Sequence, residues 1–284
     1  MSAGVAAEDV FSKSNLQAMP IPENQSGVFR RIFSIARNTF REAVRDRVLY
    51  NLVVFVLLIT AGAVFLGELT AGHEARTIVN LGLSAMLLFG AFISIFVGVS
   101  LVSKEIEKRT VFALFAKPVG RGEFIVGKYL GLCLTLLVNV LVMGVGVSLA
   151  IFFVGGGQLA FSIWGAVFLI FLELSILTAV AILFSSFSSP ALSALLTFFV
   201  FVIGHFSTSL RDLAEHLGSN FAKIFFGFLQ TVLPNLSHFS FITNAAHGDV
   251  PNAAMLGGAF LYAIVYILIL LTITTLVFSR RNFK

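Results

Sequence analysis

The sequence has few of the charged residues that keep a soluble domain in solution. Lys, Arg, Asp and Glu make up 12% of the 284 residues, whereas hydrophobic residues make up 58% and mean hydropathy is +0.98. The balance is that of a membrane protein and not of a soluble globular domain. Cys133 is the only cysteine and lies in an apolar run, so an internal disulfide or a cysteine metal cluster is excluded and packing is its expected role. We therefore predict an all-α, polytopic membrane protein.

Six apolar runs approach or exceed the roughly 20 residues that a bilayer crossing requires. They cover about residues 48–66, 78–102, 124–154, 163–184, 191–207 and 257–278. A glycine-rich turn at 155–157 separates the third run from the fourth. Between the last two runs, apolar residues 221–232 share one helical face and end before Pro234, a stretch too short to span. We predict a re-entrant or interfacial helix there, on the outer side, with a small cap on the helix ends as the alternative.

The segments before the first run differ in character. Residues 1–27 contain no apolar stretch that could serve as the core of a signal peptide, and we expect a flexible cytoplasmic tail. From Val28 to Arg47, apolar residues fall on one helical face and four arginines (Arg30, Arg37, Arg41 and Arg45) on the other. This pattern predicts an amphipathic helix at the membrane interface.

The distribution of basic residues predicts the orientation. The net charge is +5 and the pI about 9.6, but the basic residues flank apolar runs, so we expect a lipid bilayer and no nucleic acid as partner. Sixteen Lys and Arg lie on the side of the termini and only three, Arg76, Arg211 and Lys223, on the other. The positive-inside rule then places both termini in the cytoplasm.

An island of charge between the second and third runs, residues 103–128, is the strongest candidate for a partner-binding site. Opposite charges at helical spacing and interspersed apolar side chains predict a short amphipathic helix that Pro118 and Gly120 end. Such a helix suits a groove on a soluble partner. Its candidate docking residues are Lys104, Glu105, Glu107, Lys108, Arg109, Phe112, Phe115, Lys117 and Arg121.

Other signals of chemistry in the sequence are weak. Residues 122–128 match the first positions of a phosphate-binding loop, but Tyr129 follows in place of Ser or Thr and no strand precedes, so we expect no nucleotide site. The five histidines fall on or near the predicted outer side with no metal-site spacing, and we assign no metal and no catalytic residue.

One carboxylate, Glu173, lies inside a predicted span, where it must face the bundle interior or water. A protonated acid, a polar lock between helices and a part of the substrate path remain as alternatives, of which the lock is favoured. Asn139 is its expected partner, with Ser175 or Thr178 assisting.

The charged island resembles the cytoplasmic loop of ABC-2 type permeases. The residues that carry the resemblance are Lys-Glu-Ile-Glu-Lys-Arg-Thr at 104–110, Ala-Lys-Pro-Val at 116–119, Arg121 and the Gly127-Lys128 pair. The arginine-rich helix, the six spans and the outer segment agree with it, so the resemblance covers nearly all of residues 28–284, the permease domain. Within the family, the chain is most similar to permeases of copper-enzyme maturation and gliding motility systems.

The resemblance implies a type V exporter-like fold and a mechanism. Two permeases, identical or related, would pair and bind two copies of a separate ATPase, which would hold ATP and magnesium, so this chain needs no cofactor and is not itself an enzyme. The island, as the coupling helix, would transmit ATPase closure to the spans, and an unidentified substrate would move outward across a prokaryotic cytoplasmic membrane. An ATPase-driven membrane anchor or force transducer without a transported solute is the alternative, and an intramembrane enzyme is more distant.

Overall fold

The computed structural model describes residues 27–45, 54, 55, 58, 62, 74–107, 120–207, 227 and 233–280, and only the backbone for 101–107. Within these ranges the chain is all-helical and contains no strand. The helices are α1 (Val28–Ala43), α2 (Glu74–Glu107), α3 (Arg121–Phe153), α4 (Gly157–Ser162), α5 (Trp164–Ser185), α6 (Pro190–His205), the 3-10 helix η1 (Leu236–Phe239), α7 (Ile242–Ala246) and α8 (Ala253–Arg280).

Four of the described helical segments are long and apolar enough to cross a membrane: Glu74–Ser100, Arg121–Phe153, Gly157–Ser185 and Ala253–Arg280. They correspond to the second, third, fourth and sixth predicted spans. Helix α6 corresponds to the fifth, but its 16 residues extend only about 24 Å, less than the roughly 30 Å of a bilayer core. The first predicted span, the tail and the helix predicted at 221–232 lie almost wholly outside the described residues.

The glycine-rich turn between α3 and α4 is confirmed, and its geometry explains the choice of glycine. Gly155 has a φ of +84°, a left-handed conformation that side chains disfavour. The Gly156 N–H donates to the Ile151 carbonyl at 3.0 Å and the Gly155 N–H donates to the Phe152 carbonyl at 3.1 Å. These two bonds form a Schellman motif, which ends α3 and reverses the chain.

Helix α5 is the centre of the bundle. It packs against α2, α3, α6 and α8, and its middle residues are almost entirely buried. Glycines on α2 allow the close approach: a Cβ at Gly98 would lie 3.0 Å from the Cβ of Ala181, and a Cβ at Gly90 would overlap Leu174. A helix covered on all sides has no polar face, which explains why α5 is apolar around its whole circumference.

Helix α1 does not lie alone at the interface but packs along the first part of α3. Phe29 and Phe33 are 89% and 69% exposed, as a membrane-surface helix requires, while Thr39 and Ala43 are fully buried against the bundle. At Gly131 of α3 a Cβ would lie 2.5 Å from the Ala36 carbonyl oxygen of α1. The predicted helix is thus present, and its apolar surface divides between α3 and the exterior; its location at a membrane interface stays a prediction.

Candidate coupling and intramembrane sites

The start of α3 joins three helices at one point. The Arg31 guanidinium of α1 donates two hydrogen bonds to the Glu123 carboxylate, each 2.9 Å long, with the two side chains 26% and 16% exposed. The Gly120 N–H also donates to Glu123, at 3.3 Å. Planar, bidentate Arg–carboxylate pairs are among the stronger ionic contacts in proteins. Glu123 therefore begins α3 and fixes α1 to it.

Arg121 connects the same point to the last helix. Its guanidinium donates to the carbonyl oxygens of Phe278 at 3.3 Å and Ser279 at 2.6 Å, at the C-terminal end of α8. The rings of Phe124 and Phe278 stack beside it with centroids 6.0 Å apart. A cation at a helix C-terminus satisfies carbonyls that have no partner within the helix. Arg121 was predicted as a docking residue, and the structure shows that its guanidinium caps α8.

A second charged contact lies one turn further along α3. The side chain of Lys128 is only 2% exposed, and its Nζ lies 3.6 Å from a carboxylate oxygen of Glu42 on α1. The Nζ is also 5.9 Å from the centre of the Phe124 ring. Gly122 to Lys128 are helical residues of α3, so they form no phosphate-binding loop. We name the group Arg31, Glu42, Arg121, Glu123 and Lys128 the elbow cluster.

The remaining candidate docking residues are placed only in part. Lys104, Glu105 and Glu107 belong to the last turns of α2, which continues without a break from the apolar run. The prediction of a separate short helix starting there is therefore wrong for these three residues, because a helix already formed by the span simply extends into the charged sequence. Lys108, Arg109, Phe112, Phe115 and Lys117 lie outside the described residues.

The second site is an acid and an imidazole in the middle of the bundle. Glu173 of α5 is 1% exposed, and its Oε1 lies 3.4 Å from Nδ1 of His205, the last residue of α6. Glu173 is nine residues from the start of α5, a distance of about 14 Å along the axis. The pair therefore lies near the middle of the bundle, and His205 is deeper than the predicted position near the outer side.

The expected partnership between Glu173 and Asn139 is wrong. The Asn139 amide donates to the Thr135 carbonyl of its own helix at 2.7 Å, and its buried Oδ1 has no hydrogen-bond partner. Ser175 and Thr178 likewise donate to carbonyls one turn earlier in α5. Depth in the membrane is shared by many residues, whereas pairing also needs the side chains to point toward each other.

A chain segment beyond α6 reaches the same depth. The Asn235 N–H donates to the Tyr262 hydroxyl at 3.0 Å, and Tyr262 is nine residues into α8. The Asn235 Oδ1 accepts from the Ser207 hydroxyl at 2.5 Å and from the Ser237 hydroxyl at 2.6 Å. Residues 233–239 therefore enter the bundle beside His205, and the N–H groups of Asn235 and Ser237 are satisfied there by side chains, as is needed away from water.

Several residues of these two sites were not predicted as site residues. Glu42 and Glu123 form ion pairs across 86 and 92 positions of sequence, and no local spacing indicates such pairs. His205 carries a detectable signal, because it is an ionisable residue within a predicted span. Among the described residues, no group of three or more His, Cys, Asp or Glu side chains could hold a metal ion.

The architecture defines a class: a multi-pass, all-helical membrane protein with a surface helix clamped to one of its spans. The chain belongs to the ABC-2 family of transporter proteins, whose family model matches residues 33–283.

Two curated relatives agree with this family. Each is described as a probable ABC transporter permease protein NosY. The Pseudomonas aeruginosa protein is 27% identical over 124 residues, which are 42% of this chain and 45% of the relative. The Stutzerimonas stutzeri protein is 23% identical over 158 residues, 50% of this chain and 57% of the relative. The chain thus spans about half the length of the curated relatives it matches.

Proposed function

We propose that the chain is the membrane-spanning permease subunit of an ABC-2 transporter that moves its substrate outward, driven by ATP hydrolysed in a separate ATPase. The observation that carries the proposal is the family match, which extends from within α1 to beyond α8. Six spans and a pair of permease copies complete the proposed assembly. The coupling residues are the nine of the charged island, Lys104 to Arg121.

The elbow cluster supports a route for coupling. Residues 108–119 connect α2 directly to the start of α3, where Glu123 holds α1 and Arg121 holds α8. A push on this connection by a bound ATPase would therefore act on three helices together. Arg121 then contributes as a positioning residue that links the loop to α8, and the preceding residues make the contact with the ATPase.

The proposed partner gives the first prediction. Purified alone, the permease should hydrolyse no ATP, and co-expressed with its cognate ATPase it should purify as a complex of two permeases and two ATPases. Size-exclusion chromatography with light scattering measures the composition, and phosphate release measures hydrolysis. A permease that hydrolyses ATP unaided, or that remains alone after co-expression, would contradict the proposal.

Orientation gives the second prediction, since an intracellular ATPase requires the elbow cluster to face the cytoplasm. In a Cys133→Ser background, Val250→Cys, between α7 and α8, should react with an impermeant thiol reagent added to intact cells. Arg30→Cys, on α1, should react only after lysis. Both positions are exposed, so the side of the membrane on which each residue lies, and not its burial, decides whether the reagent reaches it. The opposite labelling would invert the proposed topology.

A further inference from the structure

The Glu173–His205 pair has an unequal exposure that a purely structural lock does not need. Glu173 is 1% exposed, but His205 is 27% exposed, at the end of α6 where the helix stops short of a full crossing. The two groups are therefore arranged in series: a carboxylate enclosed by the bundle, and an imidazole between it and the outside of the bundle. An ionisable group at this depth that is not enclosed by protein generally faces a water-filled space.

No other charge in the described part of the bundle competes with this pair. On α2 the charged residues lie only in the first and last turns, on α3 they lie at the start, and on α8 the one charged residue is Arg280 at the end. The other titratable side chains on the described helices around the pair are Tyr129 and Cys133 of α3, Tyr262 and Tyr266 of α8, and His238 of η1. The Tyr129 hydroxyl donates to the Ser175 carbonyl, and the His238 and Tyr266 rings lie against that of Tyr262.

Isolation of the pair determines how many protons it holds. With one proton, the pair is neutral, whether the proton sits on the carboxylate Oε1 or on the imidazole Nδ1. Losing that proton leaves a net negative charge, and gaining a second leaves a net positive charge. A net charge near the middle of a bilayer is costly, so the enclosed pair retains one proton. Contact with water removes this restriction, because each group can then exchange protons separately.

The pair would first come into contact with water at the end of α6, where that helix packs against residues 234–237. Gly204 lies so close to the Pro234 carbonyl oxygen that a Cβ would approach it to 2.7 Å, and Ser207 donates to Asn235. The end of α6 and residues 234–237 are thus one packed unit. It packs on α5, where it includes the Glu173–His205 contact, and it binds α8 through the Asn235–Tyr262 hydrogen bond. Separation of this unit from α5 would break the contact and uncover both groups.

We propose that Glu173 and His205 form a proton-binding site, which exchanges its proton with the outer aqueous phase when the end of α6 moves away from α5. Binding at the site is independent of the ATPase. The assignment of the exchange to the outer phase rests on the proposed orientation, and its consequence, a turnover that depends on outer pH, rests on the proposed transporter function.

The binding step is tested on the permease alone. The chain, labelled with nitrogen-15 histidine and placed in lipid nanodiscs, is titrated by NMR between about pH 5 and 8, the range in which imidazoles change charge. His205→Gln assigns the His205 signal. Glu173→Gln should move the midpoint of the His205 titration by about one pH unit or more, because a charge in contact with an imidazole ordinarily shifts its titration by that much. His238→Gln should leave the His205 midpoint unchanged.

A His205 titration that is the same with and without the Glu173 carboxylate would overturn the proposal, as would a His205 that titrates in neither protein. Glu173→Asp, which keeps the acid but shortens it, replaces Glu173→Gln if the latter does not fold, and should move the midpoint in the same experiment. These results do not depend on whether the chain binds an ATPase.

The functional consequence is tested on the permease–ATPase complex in proteoliposomes, with the outer pH varied at constant ATPase-side pH. Wild-type ATP turnover should change roughly threefold or more between outer pH 5.5 and 8, because a single site with its midpoint well inside this range goes from mostly protonated to mostly deprotonated across it. The double variant Glu173→Gln/His205→Gln, which keeps the pair neutral, should show less than a third of that change, and His238→Gln should match the wild type. Equal pH profiles in wild type and double variant would overturn this consequence, whereas a complex that never forms would instead refute the transporter function.

Discussion

Replacing Gly131 with leucine is expected to separate α1 from α3 and to destabilise the permease. A Cβ at this position would lie 2.5 Å from the Ala36 carbonyl oxygen and 2.6 Å from the Thr39 Cβ, and both belong to helix α1. A helix backbone cannot yield as a side-chain tip does, so the two helices must move apart. Overpacking of this kind costs about 1–3 kcal/mol, occasionally more. The loss should appear as a lower temperature of unfolding in detergent.

Separation of the helices has its own readout. Thr39 is fully buried between α1 and the bundle, so Thr39→Cys in a Cys133→Ser background should react slowly with a maleimide. Adding Gly131→Leu should make that reaction at least tenfold faster, on the order of the change in open population that 1.4 kcal/mol produces.

The matched control is Gly146→Leu, on the same helix. A Cβ at Gly146 would have no atom within 4 Å, so this variant has the same change in helix propensity without the clash. It should leave both the unfolding temperature and the Thr39→Cys labelling near the wild-type values. Equal effects of the two substitutions would show that α1 does not depend on its contact with α3.

The substitution Glu173→Leu is expected to have the second large effect. Leucine removes the carboxylate that contacts the His205 Nδ1 while leaving the imidazole in the bundle. Leaving one partner of a buried hydrogen bond unsatisfied costs about 1–3 kcal/mol. Glu173→Gln preserves the hydrogen bond and should retain assembly and stability. Thermal unfolding of the three proteins in one detergent makes the comparison.

The double variant Glu173→Leu/His205→Leu tests whether the contact between the two residues stabilises the protein beyond the burial of each side chain. Replacing both partners with apolar groups is often nearly neutral, so the double variant should be more stable than Glu173→Leu alone. A Glu173→Leu variant as stable as the wild type would contradict the lock. A Glu173→Gln complex that assembles stably but does no ATP-driven work would instead place Glu173 in the substrate path.

Hydropathy and turn chemistry predicted much of the fold, because both act over short stretches of sequence. The ends of the span predicted at 124–154 differ from Arg121–Phe153 by three residues or fewer, and the turn at Gly155 is where the glycines indicated. The arginine-rich amphipathic helix is also found where its periodicity placed it. In a membrane, a long apolar run must satisfy its backbone N–H and C=O groups by hydrogen bonds within the protein, which leaves few alternatives to a spanning helix.

Contacts between helices could not be predicted in the same way. The partner of Glu173 is His205 and not Asn139, because the rotation of α5, α3 and α6 about their axes decides which side chains meet. The close approach at Gly131 joins α3 to α1, and this pairing depends on tertiary packing. Similarly, α2 extends through Glu107 because the span already supplies a helical nucleus, which the charges alone do not reveal.

The central claim, that a separate ATPase drives this permease through the connection between α2 and α3, is tested most directly by ATP turnover of the assembled complex. The rate of phosphate release is compared for the ATPase alone, for the complex with wild-type permease, and for the complex with Arg109→Glu. Wild-type permease should raise the turnover of the ATPase, and Arg109→Glu should lower it toward the rate of the ATPase alone without preventing membrane insertion. The same turnover in all three samples would contradict the account.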